Sequence, residues 1–346
     1  MARTLVVSDL HLGSVLGRDV LRRPKALDAL VAQVAEVDRL VLLGDTVELL
    51  EGRPRRAVES ARAPLRALAG ALGRGGEVLV VPGNHDHALV RPYLRQRRTA
   101  GRRLGVATRV PVASTPALEA LAGMLRPARV RAQYPGAWLA RGVYATHGHY
   151  VDRHLLPRHG VLARGPFTPL PERGARADDY ERTGGPSLDA LGAALSVELP
   201  DVVAGLLDAT TGGLRRATLA AAPTASRIIR TDALAPFTAG ALGLQFRRAG
   251  LPAMAAAARA LGIRAQHLIF GHLHRTGPSP GDDPDEWRPD PTGPRLHNCG
   301  CWVFEPLLLT GATPPHPYWP GGAIVLEEGE APRTLTLLDG LAPGDL

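Results

Sequence analysis

The sequence predicts an α/β fold, and three observations carry that reading. Short apolar runs of strand character recur along the chain, amphipathic helical stretches alternate with the first of them, and nearly every run closes on a cluster of Asp, Asn or His. The runs are TLVVS, RLVLLG, EVLVVPG, GVYAT and HLIFG; apolar stretches this short, closed by Gly or a polar residue, read as buried strands. KALDALVAQVAEV and RAVESARAPLRALAGAL repeat their apolar residues at helical spacing, each between two strands. That β-α-β-α order implies parallel strands joined by right-handed crossovers. Residues 105–141 are less regular: GVATRVPV, ARVRAQY and AWLARG read as short strands, with a helix at ALEALAGML. From His297 the chain is strand-like again in LHNCGCWVF, GAIVLEE and RTLTLLD. Residues 277–294, rich in Pro and Gly, read as a surface loop with no fold of its own.

Between His147 and His272 the character changes. SLDALGAALSVELPDVVAGLLDATTGGLRRATLAAA and PAMAAAARALGI are rich in Ala and Leu at helical spacing, with a candidate cap at Ser187; about four helices are expected. The chain is therefore divided into a core, 1–150 with 264–346, and a helical insertion, 151–263. An insertion at that place serves as a substrate-binding cap, as a dimerisation surface, or as a purely structural bundle.

Composition sets the frame. With 346 residues, 45% apolar and 21% charged, the chain is an ordinary globular protein able to bury a sizeable core. Its apolar runs are too short and too often interrupted for a transmembrane helix. The first strand begins almost at Met1, leaving no room for a signal peptide, so the cytoplasm is the expected location. Cys299 and Cys301, two apart on a strand, are expected to be buried free thiols. The formal charge of +8 is almost wholly arginine, since Lys25 is the only lysine. The basic residues are spread out except for one patch, Arg91, Arg95, Arg97, Arg98, Arg102 and Arg103. A local anion-binding patch is a better reading of it than a general nucleic-acid surface.

The chemistry sits at the strand ends: Asp9-Leu10-His11, Asp45, Asn84-His85-Asp86, His147 and His272-Leu273-His274. Polar groups at the carboxyl ends of parallel strands collect along one sheet edge. Asp9, His11, Asp45, Asn84, His147, His272 and His274 are seven donors, too many for one metal with an open position, and they suit two. Mixed imidazole and carboxylate donors favour Mn, Fe, Zn or Co over Mg or Ca.

In this order, D-x-H, G-D-x-x-E, G-N-H-D, H-G and G-H-x-H resemble the motifs of the calcineurin-like metallophosphoesterases, from Asp9 to His274. The resemblance implies a four-layer αββα metallophosphoesterase sandwich with an inserted helical cap. It implies two divalent transition-metal ions, manganese first among them. Asp9, His11 and His274 would hold one ion, Asn84, His147 and His272 the other, and Asp45 would bridge. His85 would act on the leaving group, oriented by Asp86. Glu48 reads as a helix-start or supporting residue, not a ligand. His149 and Asp152 are candidates for support behind His147, and Asn298 and Cys299 for shaping the site. His87, His154, His159, His267, His297 and His316 read as surface or satisfied core residues.

The expected activity is hydrolysis of a phosphomonoester, phosphodiester or pyrophosphate in a small substrate, nucleotide- or lipid-linked, by a hydroxide shared between two metals. The insertion before G-H-x-H and the N-C-G-C-W segment are distantly similar to UDP-2,3-diacylglucosamine pyrophosphohydrolases, which carry Arg where His85 stands. A nuclease is the alternative, and a non-catalytic scaffold is disfavoured because all seven donor positions are filled. Peripheral membrane contact through the insertion is compatible with the sequence, which leaves the oligomeric state open.

Overall fold

The computed structural model describes residues 3–50, 53–155, 170–182, 249–309 and 311–346. The chain divides into two compact units, Met1–Gly148 with Ile263–Leu346, and His149–Gly262.

In the first unit the opening strands β1 (Thr4–Val7), β2 (Arg39–Leu42) and β3 (Glu77–Val80) pair in parallel and in sequence order. They are joined through helices α1 (Pro24–Val34) and α2 (Pro54–Leu72). Both helices start with Pro, whose missing N–H costs nothing in a first turn. Both keep one apolar stripe buried: Ala26, Leu30 and Val34 on α1; Ala61, Leu65 and Leu68 on α2. Two like-handed crossovers place α1 and α2 on one face of these strands, and the two helices pack on each other.

A third helix, α3 (Arg91–Thr99), a short strand β4 (Ala107–Val110) and α4 (Pro116–Met124) follow. The sequence suggests two short strands in ARVRAQY and AWLARG; they form instead one twelve-residue strand, β5 (Arg129–Ala140). Its first part pairs with β3 and its last part with β6 (Val143–Thr146). Pro135, which has no N–H to give a ladder, lies at the changeover. Beyond β6 come β7 (His267–Phe270), β8 (Thr276–Gly277) and β9 (Arg295–Cys299), in the order β6-β7-β9-β8. The closing strands β10 (Gly322–Leu326) and β11 (Arg333–Thr336) return to the other edge, beside β1.

Alternation along these strands makes the sandwich. Val6, Val41 and Leu79 from the β1 side share one core cluster with Ala145, Ile269 and Cys299 from the β7 side. Their chain neighbours Leu5, Leu40 and Val78 face the other way and are also fully buried. Strands buried on both faces need cover on both, which is why they read as unbroken apolar runs. Each such side chain contributes roughly 1.5–3 kcal/mol of burial, and Leu40→Ala would cost about 2–5 kcal/mol.

Residues 277–294 depart from expectation. They form an anchored segment: Trp287 is fully buried, its indole N–H donates to Asp282 (3.0 Å), and Glu286 takes two hydrogen bonds from the buried Arg275 guanidinium (2.8 Å each). Trp-Arg stacking, with 4.9 Å to the ring centroid, completes the anchor. A Pro/Gly-rich composition marks a segment without regular structure, but one buried aromatic is enough to fix its path. Cys299 and Cys301 are both free and buried.

In the second unit, the 3-10 turn His149–Val151 leads into short helices Asp152–Leu155 and Ala177–Arg182. Tyr150 stacks on Tyr180 with centroids 4.3 Å apart, and its hydroxyl donates to Glu181 (2.6 Å). Of the stretch PAMAAAARALGI, residues 252–260 are helical, in a helix described over residues 249–260, and residues 261–263 lie past its end. Ser187 and the longer Ala/Leu-rich segment lie outside the described residues, as does His159. No helix among the described residues is long and apolar enough to cross a membrane.

Candidate metal centre

The strands deliver their polar residues within a few positions of their ends: Asp9 after β1, Asp45 after β2, Asn84 after β3, His147 after β6, His272 and His274 after β7. The turns that do this are strained. Among the described residues, the only non-glycine residues with positive φ are Asp9 (56°), His11 (42°), Asp45 (50°), His272 (65°) and His274 (54°). Side chains with a Cβ rarely adopt this conformation, and its concentration on five candidate ligands is the pattern of a functional site. Two motif glycines are there for space. A Cβ on Gly44 would run into the His147 ring, and one on Gly271 into Ser8 Oγ and Asp9 Oδ2.

All seven predicted donors come together, in two groups with a third beside them. Asp9, His11 and His274 can offer one atom each within a common 4.8 Å, as can Asp45, His147 and His272, and as can His11, Glu48 and His85. Asn84 joins the second group through Oδ1, 3.0 Å from His147 Nε2.

Each carboxylate spends one oxygen on the fold and turns the other toward imidazole nitrogens. Asp9 Oδ2 accepts from the His272 amide (2.9 Å) and from the Ser8 hydroxyl (2.6 Å). Asp9 Oδ1 lies 3.2 Å from His274 Nε2 and 3.8 Å from His11 Nε2. Asp45 Oδ1 accepts from the His85 amide (2.8 Å), while Oδ2 lies 3.1 Å from His147 Nε2 and 3.8 Å from His11 Nε2. Asp45 thus stands between the two groups. The His147 ring is oriented from behind by its Nδ1, which donates to the Leu43 carbonyl (3.0 Å), so that Nε2 is turned forward toward Asp45 and Asn84.

A cation fits this donor set. Asp9 and Asp45 are fully buried with no Lys or Arg partner among the described residues, and buried charge demands compensation. Asp9 Oδ1 and His11 Nε2 are buried without a hydrogen-bond partner although both point into the same space. The protonation equilibria tell the same story. Burial alone would raise the Asp9 and Asp45 carboxyls, yet the neighbouring histidines, His147 first, hold both well below the usual carboxylate range. Conversely, burial opposes the charged form of His147, but Asp45 and Asp9 outweigh it and raise the ring to about 9. His274 is likewise raised to about 10 against its burial, with Cys301 and Asp9 beside it. The carboxylates therefore draw positive charge to this point, as protons or as metal ions.

Glu48 is the residue whose part the sequence understates. It is buried and lies in no helix. Its Oε2 is 3.0 Å from His11 Nδ1 and 2.7 Å from His85 Nδ1. Burial would raise its pKa, but its two histidines hold it well below the carboxylate range. An ionised carboxylate only accepts, so both rings present Nδ1–H to it and both leave Nε2 for other work. The only available signal was its place, three residues after Asp45 in G-D-x-x-E.

Asp86 corrects an expectation. It does not touch the His85 ring: its oxygens accept from the backbone amides of Gly83 (2.7 Å) and Thr46 (2.8 Å), and Glu48 is the partner of His85. Asp86 ties the loop after β3 to the loop after β2, a structural clamp. Burial and the nearby Asp45 raise its pKa to about 6 despite those two bonds.

Asn298 also serves backbone, donating to the Gly271 carbonyl (2.9 Å) and accepting from the Gly300 amide (2.9 Å), which fixes the turn before His272. Burial, with Asp9 nearby, raises the Cys299 thiol, so it stays protonated. His149 and Asp152 belong to the second unit.

The model of the calcineurin-like phosphoesterase family matches residues 2–171. No curated protein matches the chain.

Proposed function

Starting from the chain's membership of the calcineurin-like phosphoesterases, we propose that it hydrolyses a phosphomonoester, phosphodiester or pyrophosphate bond at a two-metal centre built from Asp9, His11, His274, Asn84, His147, His272 and the bridging Asp45. The observation that carries this reading is the pair of buried carboxylates, each with one oxygen facing imidazole nitrogens and no Lys or Arg among the described residues to neutralise it. Divalent cations bound there, manganese first among the candidates, would lower the pKa of water toward neutrality and neutralise charge on the phosphoryl oxygens.

The chain's own residues supply the rest. Ser8 and the His272 amide fix the Asp9 carboxylate, and the His85 amide fixes that of Asp45. Glu48 holds the His85 ring by Nδ1–H, so Nε2, which makes no hydrogen bond among the described residues, is left to give a proton to the departing oxygen. Glu48 accepts both ring protons and so couples the orientation of a metal ligand, His11, to that of the acid, His85. We assign the cytoplasm as its location, in keeping with the two free thiols. We also assign the second unit to substrate binding, since it leaves the chain just after His147 and returns before His272. The expected substrate is a small phosphorylated molecule; a nucleic-acid substrate is the second reading, favoured by the arginine-rich helix taken up below.

The decisive experiment is elemental analysis joined to an assay on nitrophenyl phosphates. The chain should bind close to two divalent ions, as a two-metal site requires, and Asp45→Ala should lower both. One ion per chain, or full turnover after complete chelation, would sink the reading. Replacing residues 151–263 by a Gly/Ser linker should spare metal binding and a small ester while abolishing turnover of larger substrates, through lost remote binding energy. Equal losses on both would remove the cap assignment.

A further inference from the structure

Helix α3 leaves the loop that carries His85 and has no buried residue. From residue 87 to residue 118 the chain has seven arginines and no Asp or Glu, a local charge of +7 against +8 for the whole chain. One of these arginines, Arg97, serves the fold through its side chain. Arg97 donates to the Arg103 carbonyl (2.7 Å) and lies over the Tyr93 ring, 5.7 Å from its centroid. The Tyr93 hydroxyl in turn donates to the Arg109 carbonyl (3.2 Å), pinning α3 to β4. Arg91, Arg95, Arg98, Arg102, Arg103 and Arg109 remain exposed, and none has an ion-pair partner among the described residues.

Arg91, Arg95 and Arg98 stand at i, i+4 and i+7, on one face of the helix. The steps between them along its axis are about 4.5–6 Å. Like charges at such spacing repel and weaken a helix, and no acidic residue of this segment offsets them. The guanidinium fork matches phosphate geometry, and a straight row of forks matches a chain of phosphates better than a single one.

We propose that this face of α3 binds the sugar–phosphate backbone of a single-stranded nucleic acid. A row one helix wide complements one backbone. An anionic membrane is the weaker fit, because interfacial helices add an apolar face to their cations. The exposed large apolar side chains among the described residues, Val15, Leu16, Leu50 and Trp138, all lie outside this segment. Binding at α3 does not depend on hydrolysis; only the passage of the strand to the metal centre rests on the phosphoesterase reading.

The test is fluorescence anisotropy of a labelled oligothymidylate with the full chain under chelation, so that turnover plays no part. For three to four phosphate contacts on a single strand, log affinity should fall with log salt at a slope of roughly −2 to −3. Arg91→Glu/Arg95→Glu/Arg98→Glu should lose at least about tenfold in affinity and most of that slope. The milder Arg95→Gln/Arg98→Gln, checked by thermal melting, should lose part of both and guards against a folding defect. Affinity and slope unchanged in both variants would overturn the proposal. So would co-sedimentation with phosphatidylglycerol vesicles in the absence of oligonucleotide binding, which would make the face a membrane surface.

Discussion

The two ends of β7 hold histidines of opposite character. Near its start, His267 Nδ1 lies 3.0 Å from Nε2 of His297 on the neighbouring β9. Burial, with His267 and Arg295 close by, pushes His297 down to about 3. Past its other end stand His272 and His274, and there burial is overruled: His274 rises to about 10 and His147 to about 9. His147, one residue past β6, and His297, on β9, are both buried, and β7 pairs in parallel with both strands. The difference is Asp9 and Asp45, which exist at one end only. Buried histidine by itself makes a neutral core residue; a buried carboxylate beside it makes a place for a cation.

The largest expected effect removes that distinction. Asp45→Ala should lower turnover at least about 10³-fold, more than the loss of one oxyanion donor. In the metal-free variant the His147 ring should also titrate below about 9, because its nearest carboxylate is gone. NMR titration of the ring checks this, and an unmoved value would show that Asp45 is not what separates the two ends.

His85→Ala should cost about 10²–10⁴-fold in turnover while metal content stays unchanged, because its Nδ1 faces Glu48 and the amide that holds Asp45 is kept. The loss should be smaller for an activated nitrophenyl ester than for an alkyl ester. Equal losses on both would take His85 out of the acid's role.

Two carboxylates of the same loops divide in the same manner. Glu48→Gln can still accept from one ring but loses its charge, so activity should fall about 10–100-fold with weakened metal affinity. Asp86→Asn breaks a backbone clamp and should instead appear mainly as lost stability, on the order of 1–3 kcal/mol. Urea titration beside kinetics separates them; a kinetic loss from Asp86→Asn at full stability would restore it to the chemistry.

The gathering of the motif residues at one edge was legible because each closes an apolar run, and run and motif together fix the strand and the edge. The partner of His85 was not. Asp86 adjoins it in sequence, but the turn sends that carboxylate back to Gly83 and Thr46, and the true partner arrives from another loop. Sequence adjacency says little about a side chain's direction where φ and ψ leave the regular regions, and the loops after these strands are where they do so. The single strand β5 was hidden for a related reason. A strand that changes partners midway keeps no one pattern of alternation, and Pro135 in its middle reads as a break. The segment 277–294 hid its anchor in one tryptophan, whose burial depends on Arg275 and Glu286 meeting, which no local pattern shows.

The smallest effect tests the neutral end of β7 through pH. His297 has its folded pKa pushed from 6.5 to about 3, so between those values the unfolded chain binds a proton that the folded chain refuses. Its contribution is therefore fully present above pH 6.5 and is lost as pH falls toward 3, by at most about 1.4 kcal/mol per pH unit. His147 has the opposite sign in the metal-free chain: raised to about 9, its contribution is present below pH 6.5 and is lost as pH climbs through 9. Urea unfolding of chelated protein should show both slopes. His297→Gln should flatten the acidic one and leave the basic one, whereas metal loading should flatten the basic one, since a bound cation takes the place of the proton. If His297→Gln and the parent chain lose stability in parallel between pH 6.5 and pH 4, burial of the neutral pair is not what sets the acidic slope, and the contrast between the two ends of β7 reduces to the carboxylates alone.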